Sequence, residues 1–195
     1  MSPQADIAQT LRVAEQVLAA LQRVGGQGVI IGGMALAVHC YPRDTIDLDL
    51  ATAVEPRKLD EVAAELRTLG YGVEVRKPDP DDPLGGVLDV QAEGADRVQV
   101  VNFLNPPASG FPRLVEEAVA TATALIPGQP LKVVDLPHLI AFKLYAGGNK
   151  SRLDILELLD RNPSVELERL RELCRGYRME AELDEILALA AEDDD

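Results

Sequence analysis

The sequence predicts a mixed α/β core followed by a helical C-terminal part. Three observations predict it. Short β-type apolar runs alternate with helix-length amphipathic stretches as far as residue 134. From Leu136 onward the pattern is helical. Glycine and proline stand where such elements must end, at Gly25-Gly26, Pro42, Gly70, Gly147-Gly148 and Asn162-Pro163. A chain of 195 residues, 47% of them hydrophobic, is long enough to bury one compact core with a helical appendage.

In chain order, Ile7, Leu11, Ala14, Leu18 and Leu21 recur at spacings of four and three, so residues 6–24 form an amphipathic helix. Gly28 to Ile31 is a short buried strand, and Met34 to Cys40 a short helix stopped by Tyr41-Pro42. A strand over 45–53 follows. Pro56 opens a helix that runs to Gly70 with Leu59, Val62, Ala63, Leu66 and Leu69 inward, proline in its first turn and glycine past its end. Tyr71 to Val75 is a strand, and Lys77-Pro-Asp-Pro-Asp-Asp-Pro83 an exposed loop.

Residues 86–92 and 97–103 read as a hairpin around Gly94-Ala95, since glycine fits the first central position of a type II′ turn. That register sets Asp89 opposite Val100 and Asn102 opposite Val87, with Asp89 and Asn102 on one face and Leu88, Val90, Val101 and Phe103 on the other. Glu93 facing Asp96 counts against it. A link through Pro106, Pro107 and Pro112 leads to a helix near 111–123 and a strand at 131–134. Helices follow, interrupted near Gly147-Gly148, Asn162-Pro163 and Gly176. The expected organisation is an α/β core over 1–134, a helical part over 135–191 packed on it, and an acidic tail over 192–195.

The formal net charge is −14 and the pI about 4.5. With no basic stripe, the chain does not read as a general duplex nucleic-acid binder, because phosphate contacts supply most of that affinity. A cationic small molecule or a protein fits the acidity better. No apolar run approaches the roughly 20 residues of a spanning helix, and no leader opens the chain, so a cytoplasmic protein without membrane contact is expected. Cys40 and Cys174 lack metal-ligand spacing and read as buried free thiols; His39 and His138 form no paired motif, read as structural, and argue against zinc.

The chemistry centres on Asp47 and Asp49. On a strand, Thr45, Asp47 and Asp49 share one face and Ile46, Leu48 and Leu50 the other. The two carboxylates stand roughly 6.6 Å apart at their α-carbons and repel, which suits them to hold hard divalent cations. Gly32-Gly33 follows a strand and opens a helix. It is either a tight turn or a place where backbone N–H groups meet a phosphate.

Gly32, Gly33 and Ala35, then Arg43-x-Thr45-x-Asp47-x-Asp49-Leu50, resemble the signature of the DNA polymerase β nucleotidyltransferase superfamily, and within it the AbiEii-type toxin branch. Asp135-Leu-Pro-His-Leu-Ile140, Lys143-Leu144-x-Ala146 and Lys150-Ser-Arg152-Leu-Asp154-Ile155 are similar to that branch's later helical motif. The resemblance spans roughly residues 28 to 160. It implies a nucleotidyltransferase-like mixed sheet with flanking helices. It implies that Gly32 and Gly33 receive the triphosphate of an NTP substrate and that Asp47 and Asp49 hold Mg²⁺. Arg43 and Thr45 would orient the motif or touch phosphate, and Lys143 and Asp154 would face the nucleotide or the acceptor. The reaction would be NMP transfer with pyrophosphate leaving, in a toxin–antitoxin type role with an antitoxin partner. Plainer readings stand beside these: Arg43 paired with Asp44 or Asp47, Lys143 as a solvated head, and Lys150, Arg152 and Asp154 as a helix-start charge cluster.

The family usually carries a third carboxylate on a later strand. Here Asn102 holds that place, and an amide brings no charge and is a poor base. Asp89, expected on the same face, is the substitute. If neither serves, the fold becomes a nucleotide-binding or partner module without transfer. The acidity also admits an enzyme that adenylylates a cationic antibiotic. The sequence leaves the acceptor open among tRNA, a protein and a small hydroxylated molecule.

Overall fold

The computed structural model describes residues 6–45, 47–78, 84–105 and 111–192. Ile46, most of the loop at 77–83, the link through Pro106 and Pro107, and the end of the acidic tail lie outside these residues. The elements run α1 (Ile7–Arg23), β1 (Gly28–Ile31), α2 (Gly32–Val38), β2 (Asp47–Thr52), α3 (Pro56–Thr68), β3 (Gly72–Arg76), β4 (Val87–Gln91), β5 (Arg97–Asn102), α4 (Pro112–Thr121), β6 (Thr123–Ala124), β7 (Lys132–Val133), α5 (Leu136–Ala146), α6 (Gly148–Arg161), α7 (Leu167–Gly176) and α8 (Glu180–Glu192). This is the mixed α/β class that the sequence predicts. The chain divides into two compact units. The first is Met1–Met34 with Asp44–Val134, and the second is Ala35–Arg43 with Asp135–Asp195.

Unit 1 holds the described strands, in one mixed sheet of order β3-β4-β5-β2-β1-β7-β6. β2 pairs antiparallel with β1 and parallel with β5. Leu48, Leu50, Leu88, Val90, Val98 and Val100 are at most 1% exposed and form the apolar face of its centre. Helix α1 buries Ala14, Leu18 and Leu21 of the stripe its spacing predicts, together with Val13 and Val17, whereas Ile7 is exposed and Leu11 only partly buried. Asp6 caps the helix by accepting from the Ala8 N–H at 2.9 Å. Each such fully buried aliphatic side chain contributes about 2 kcal/mol. β6 was not expected. It is a two-residue edge strand that exists only through its antiparallel pairing with β7.

The β4–β5 register differs from the expected one by a single residue, which reverses faces. Asp89 stands opposite Gln99, Leu88 opposite Val100 and Val87 opposite Val101. The turn is therefore a five-residue loop over 92–96, not a two-residue turn at Gly94-Ala95. Two long-range bonds set it: the Gly94 carbonyl accepts from the Asp6 N–H at 2.9 Å, and the buried Thr10 hydroxyl accepts from the Asp96 N–H at 2.9 Å. Docking on α1 fixes the loop length. Val101 accordingly lies on the half-exposed face, and Val98 and Val100 take its place in the core.

The slip moves Asn102 away from Asp89. Asn102 pairs with Thr52, is 0% exposed, and stands on the face of Leu48 and Leu50. Its Oδ1 accepts from the Val54 N–H at 3.0 Å, and its Nδ2 donates to the carbonyls of Val54 at 2.8 Å and Gly85 at 3.2 Å. The amide ties three backbone segments together in the core, and its polar atoms are spent there rather than beside Asp47 and Asp49.

Unit 2 is made of α5 to α8 and the segment 35–43. That segment is tied to α6 and its C-cap: Arg43 pairs with Asp154 at 2.8 Å, Asn162 Nδ2 donates to the His39 carbonyl at 2.9 Å, and the Arg161 guanidinium lies 5.3 Å from the Tyr41 ring centre. Helix α2 ends with Cys40 in the left-handed region at φ 66° and the Tyr41 N–H donating to the Leu36 carbonyl at 2.9 Å, a Schellman ending. Cys40 is exposed, contrary to the expectation of two buried thiols; Cys174 is buried, and burial pushes its thiol up to about 12. His138 is buried with Nδ1 2.6 Å from Asp135 Oδ1, the oxygen that also accepts from the His138 N–H and caps α5. Among the described residues no helix is long and apolar enough to cross a membrane.

Candidate functional site

The acidic face of unit 1 is built by strand parity. Asp47 and Asp49 alternate with the buried Leu48 and Leu50, so both carboxylates point away from the apolar face and are half-exposed. Parallel pairing with β5 adds Arg97 beside Asp47 and Gln99 beside Asp49, and antiparallel pairing of β4 adds Asp89 beside Gln99. Asp89 thus reaches this face, through a register other than the one the sequence predicts.

Gly32 and Gly33 make room for β2 and its approach. Gly32 has φ 65°, and a Cβ there would run into the Asp49 carboxylate. A Cβ on Gly33 would meet the Thr45 side chain at 2.7 Å. Each glycine therefore has a packing reason: one admits Asp49, the other Thr45. The Thr45 hydroxyl donates to the Asp47 carbonyl at 3.1 Å, shaping the entry to β2. Gly32→Ala is expected to cost about 2 kcal/mol from the left-handed backbone alone. Adding Asp49→Ala should relieve the collision but not the backbone strain. Thermal unfolding of both variants separates the two contributions.

Arg97 was not singled out from the sequence, and it is the residue most engaged with the acidic face. Its Nε donates to Asp47 Oδ1 at 3.0 Å and a terminal nitrogen donates to Asp47 Oδ2 at 2.6 Å, a two-pronged pair. The same Nε lies 3.7 Å from Asp89 Oδ1. The guanidinium pKa is raised chiefly by hydrogen bonding to Asp47, against an opposing effect of burial, with lesser contributions from the charges of Asp47, Asp89 and Asp49. Asp89, 6% exposed, also accepts from Gln99 at 2.8 Å and pairs with Arg76 at 3.0 Å. The available signal was the unbalanced charge of Asp47 and Asp49; the missing knowledge was which strand lies beside β2.

Two half-exposed carboxylates at i and i+2 are hard oxygen donors that suit Mg²⁺, a cation normally completed by water and phosphate oxygens. Among the described residues no three Asp, Glu, His or Cys side chains gather as a ready-made cage.

Unit 2 carries the remaining residues singled out from the sequence. Asp154, 2% exposed, receives the Lys143 ammonium at 2.6 Å on one oxygen and the Arg43 guanidinium at 2.8 Å on the other. Arg43 thus pairs with neither Asp44 nor Asp47. The cluster has two cations on one carboxylate, a net positive charge whose side chains remain 14% (Lys143) and 26% (Arg43) exposed. Lys143 and Ser151 also line a cavity of about 140 Å³ whose walls include Leu144, Ile155, Glu182 and Glu185.

No family model and no curated protein matches the sequence. Solved structures do match its fold. The antibiotic-resistance factor ANT(2'')-Ia is 18% identical, with 96% of this chain and 97% of that one covered and a TM-score of 0.51. An antigenic nucleotidyltransferase-like protein from Paracoccidioides brasiliensis is 20% identical, with 95% and 94% covered and a TM-score of 0.50. The fold of this chain is therefore that of the nucleotidyltransferases.

Proposed function

We propose that the chain is a Mg²⁺-dependent nucleotidyltransferase that moves an NMP group from an NTP to an acceptor hydroxyl. The observation that carries the reading is the acidic face of β2, Asp47 and Asp49 side by side, with Gly32 shaped to admit the Asp49 carboxylate. Asp47 and Asp49 would hold Mg²⁺, which would neutralise triphosphate charge as pyrophosphate departs. An acceptor hydroxyl oxygen would form a bond to the α-phosphorus, and the bond from that phosphorus to the bridging oxygen would break, releasing pyrophosphate. Asp89, the acid that β4 brings to this face, is proposed to take the hydroxyl proton. Arg97, Arg76 and Gln99 now occupy its oxygens, so at least one must withdraw for it to do so. Lys143 and Arg43 are proposed as phosphate- or acceptor-facing cations, with Asp154 as their holder.

The acceptor class we favour is a cationic small molecule bearing hydroxyl groups. The net charge of −14 supports it, as does a fold shared with an antibiotic-resistance factor. Calorimetry with ATP and Mg²⁺ is expected to show metal-dependent binding by the parent, and Asp47→Ala should weaken it at least tenfold. Pyrophosphate release with hydroxylated polyamines or aminoglycosides, and not with tRNA or protein, is the expected acceptor pattern. Transfer to tRNA would instead favour the toxin-type branch. Absence of metal-dependent nucleotide binding would sink the enzyme reading.

A second reading has its own observation. Asn102 faces the core and Arg97 holds both oxygens of Asp47. Nucleotide binding without pyrophosphate release across the acceptor set would make the chain a nucleotide-binding module.

A further inference from the structure

This inference rests on the reading that Asp47 and Asp49 hold a divalent cation, and it concerns a residue with no role in that reading. Arg97 takes both oxygens of Asp47, at 3.0 and 2.6 Å. A cation coordinated by Asp47 needs at least one of those oxygens. We propose that Arg97 competes with the divalent cation for Asp47, and thereby sets how tightly, and with what companion anion, the cation is held.

Three features make the exchange feasible. The Arg97 side chain is 38% exposed, so the guanidinium has room to turn. A second anion already stands beside it: Asp89 Oδ1 is 3.7 Å from Nε. Arg97 can therefore leave Asp47 without being stranded. Asp89 itself is fixed by Gln99 and by Arg76, so it offers a stationary second position. The planar fork of arginine also suits phosphate oxygens as well as carboxylate.

The consequence is a threshold. A divalent cation arriving alone must displace a two-pronged ion pair and meet a positive charge nearby. A cation arriving with a triphosphate brings anionic oxygens to which Arg97 can donate in exchange. Arg97 thus favours the metal–nucleotide complex over the bare metal, which makes it a specificity-determining residue.

Titration of the full chain with Mn²⁺ alone, by calorimetry and by electron paramagnetic resonance of the free ion, tests this directly. Arg97→Gln should bind Mn²⁺ about tenfold more tightly than the parent, because it removes both the competitor and a nearby like charge. Arg97→Lys, which keeps the charge and loses the fork, should lie between them. Equal or weaker binding by Arg97→Gln overturns the proposal. A second measurement needs no variant. The Nε–H resonance of Arg97 in the parent should shift as Mg²⁺ is added, with the midpoint of binding, and an unmoved resonance overturns the proposal too. Asp47→Ala separates this idea from the reading beneath it. If Asp47→Ala binds Mn²⁺ as the parent does, the metal-site reading fails and the proposal with it. If Asp47→Ala loses binding while Arg97→Gln gains none, only the competition is overturned.

Discussion

Asp154→Ala is expected to lower the stability of the chain by about 3–5 kcal/mol, the range for removing one partner of a buried ion pair. Asp154 is 2% exposed and its two oxygens neutralise Lys143 and Arg43 separately. Deleting it leaves two cations, one of them 14% exposed, with no anion between them. Arg43 is more open and recovers part of its hydration, so most of the penalty falls on Lys143. The same change removes the Arg43 tie between the segment 35–43 and α6. Lys143→Met in the Asp154→Ala background should therefore recover stability, since it removes a stranded charge and keeps the packed stem. Denaturant unfolding followed by circular dichroism measures both. A loss below 1 kcal/mol for Asp154→Ala would mean that the cluster is hydrated and not structural.

Asn102→Asp should cost about 3 kcal/mol and should not create a metal ligand. The substitution restores the residue type that the resemblance expects on this strand. It does so on the wrong face. A carboxylate at 102 would point an acceptor at the carbonyls of Val54 and Gly85, which the amide now serves as donor, and would bring a charge into a position with no exposure. The expected result is a lower melting temperature with Mn²⁺ affinity unchanged. A gain in Mn²⁺ affinity would contradict the observed register.

That one-residue register separates what the sequence makes legible from what it does not. The extents of helices α1 and α3 follow from local periodicity and end chemistry, although Ile7 and Leu69, both expected inward, lie at the helix ends and are exposed. The Asp47–Asp49 face follows from parity within a single strand. The pairing of β4 with β5 depends on contacts far away in sequence: Thr10 and Asp6, at the start of α1, hold the loop over 92–96. Local turn preference at Gly94 was overruled by docking on a helix more than eighty residues earlier. Arg97 as the partner of Asp47 was hidden for the same reason, because it needs the alignment of β5 beside β2. The packing roles of Gly32 and Gly33 were hidden too. A sequence shows that a glycine is present, but not which side chain passes where its Cβ would be.

The membership of Ala35–Arg43 in the second unit bears on how this architecture could be inherited or recombined. The helical unit is discontinuous in the gene: its first nine residues are encoded inside the span of the α/β unit. A crossover event at codon 135, the natural place to graft a new C-terminus, would carry over the old Tyr41 and Arg43 to meet an unfamiliar α6. A graft would succeed only where the incoming helix again offers an acid at the Asp154 place and an amide at the Asn162 place. The helical unit can therefore be transferred intact only together with the nine residues that lie inside the span of the α/β unit.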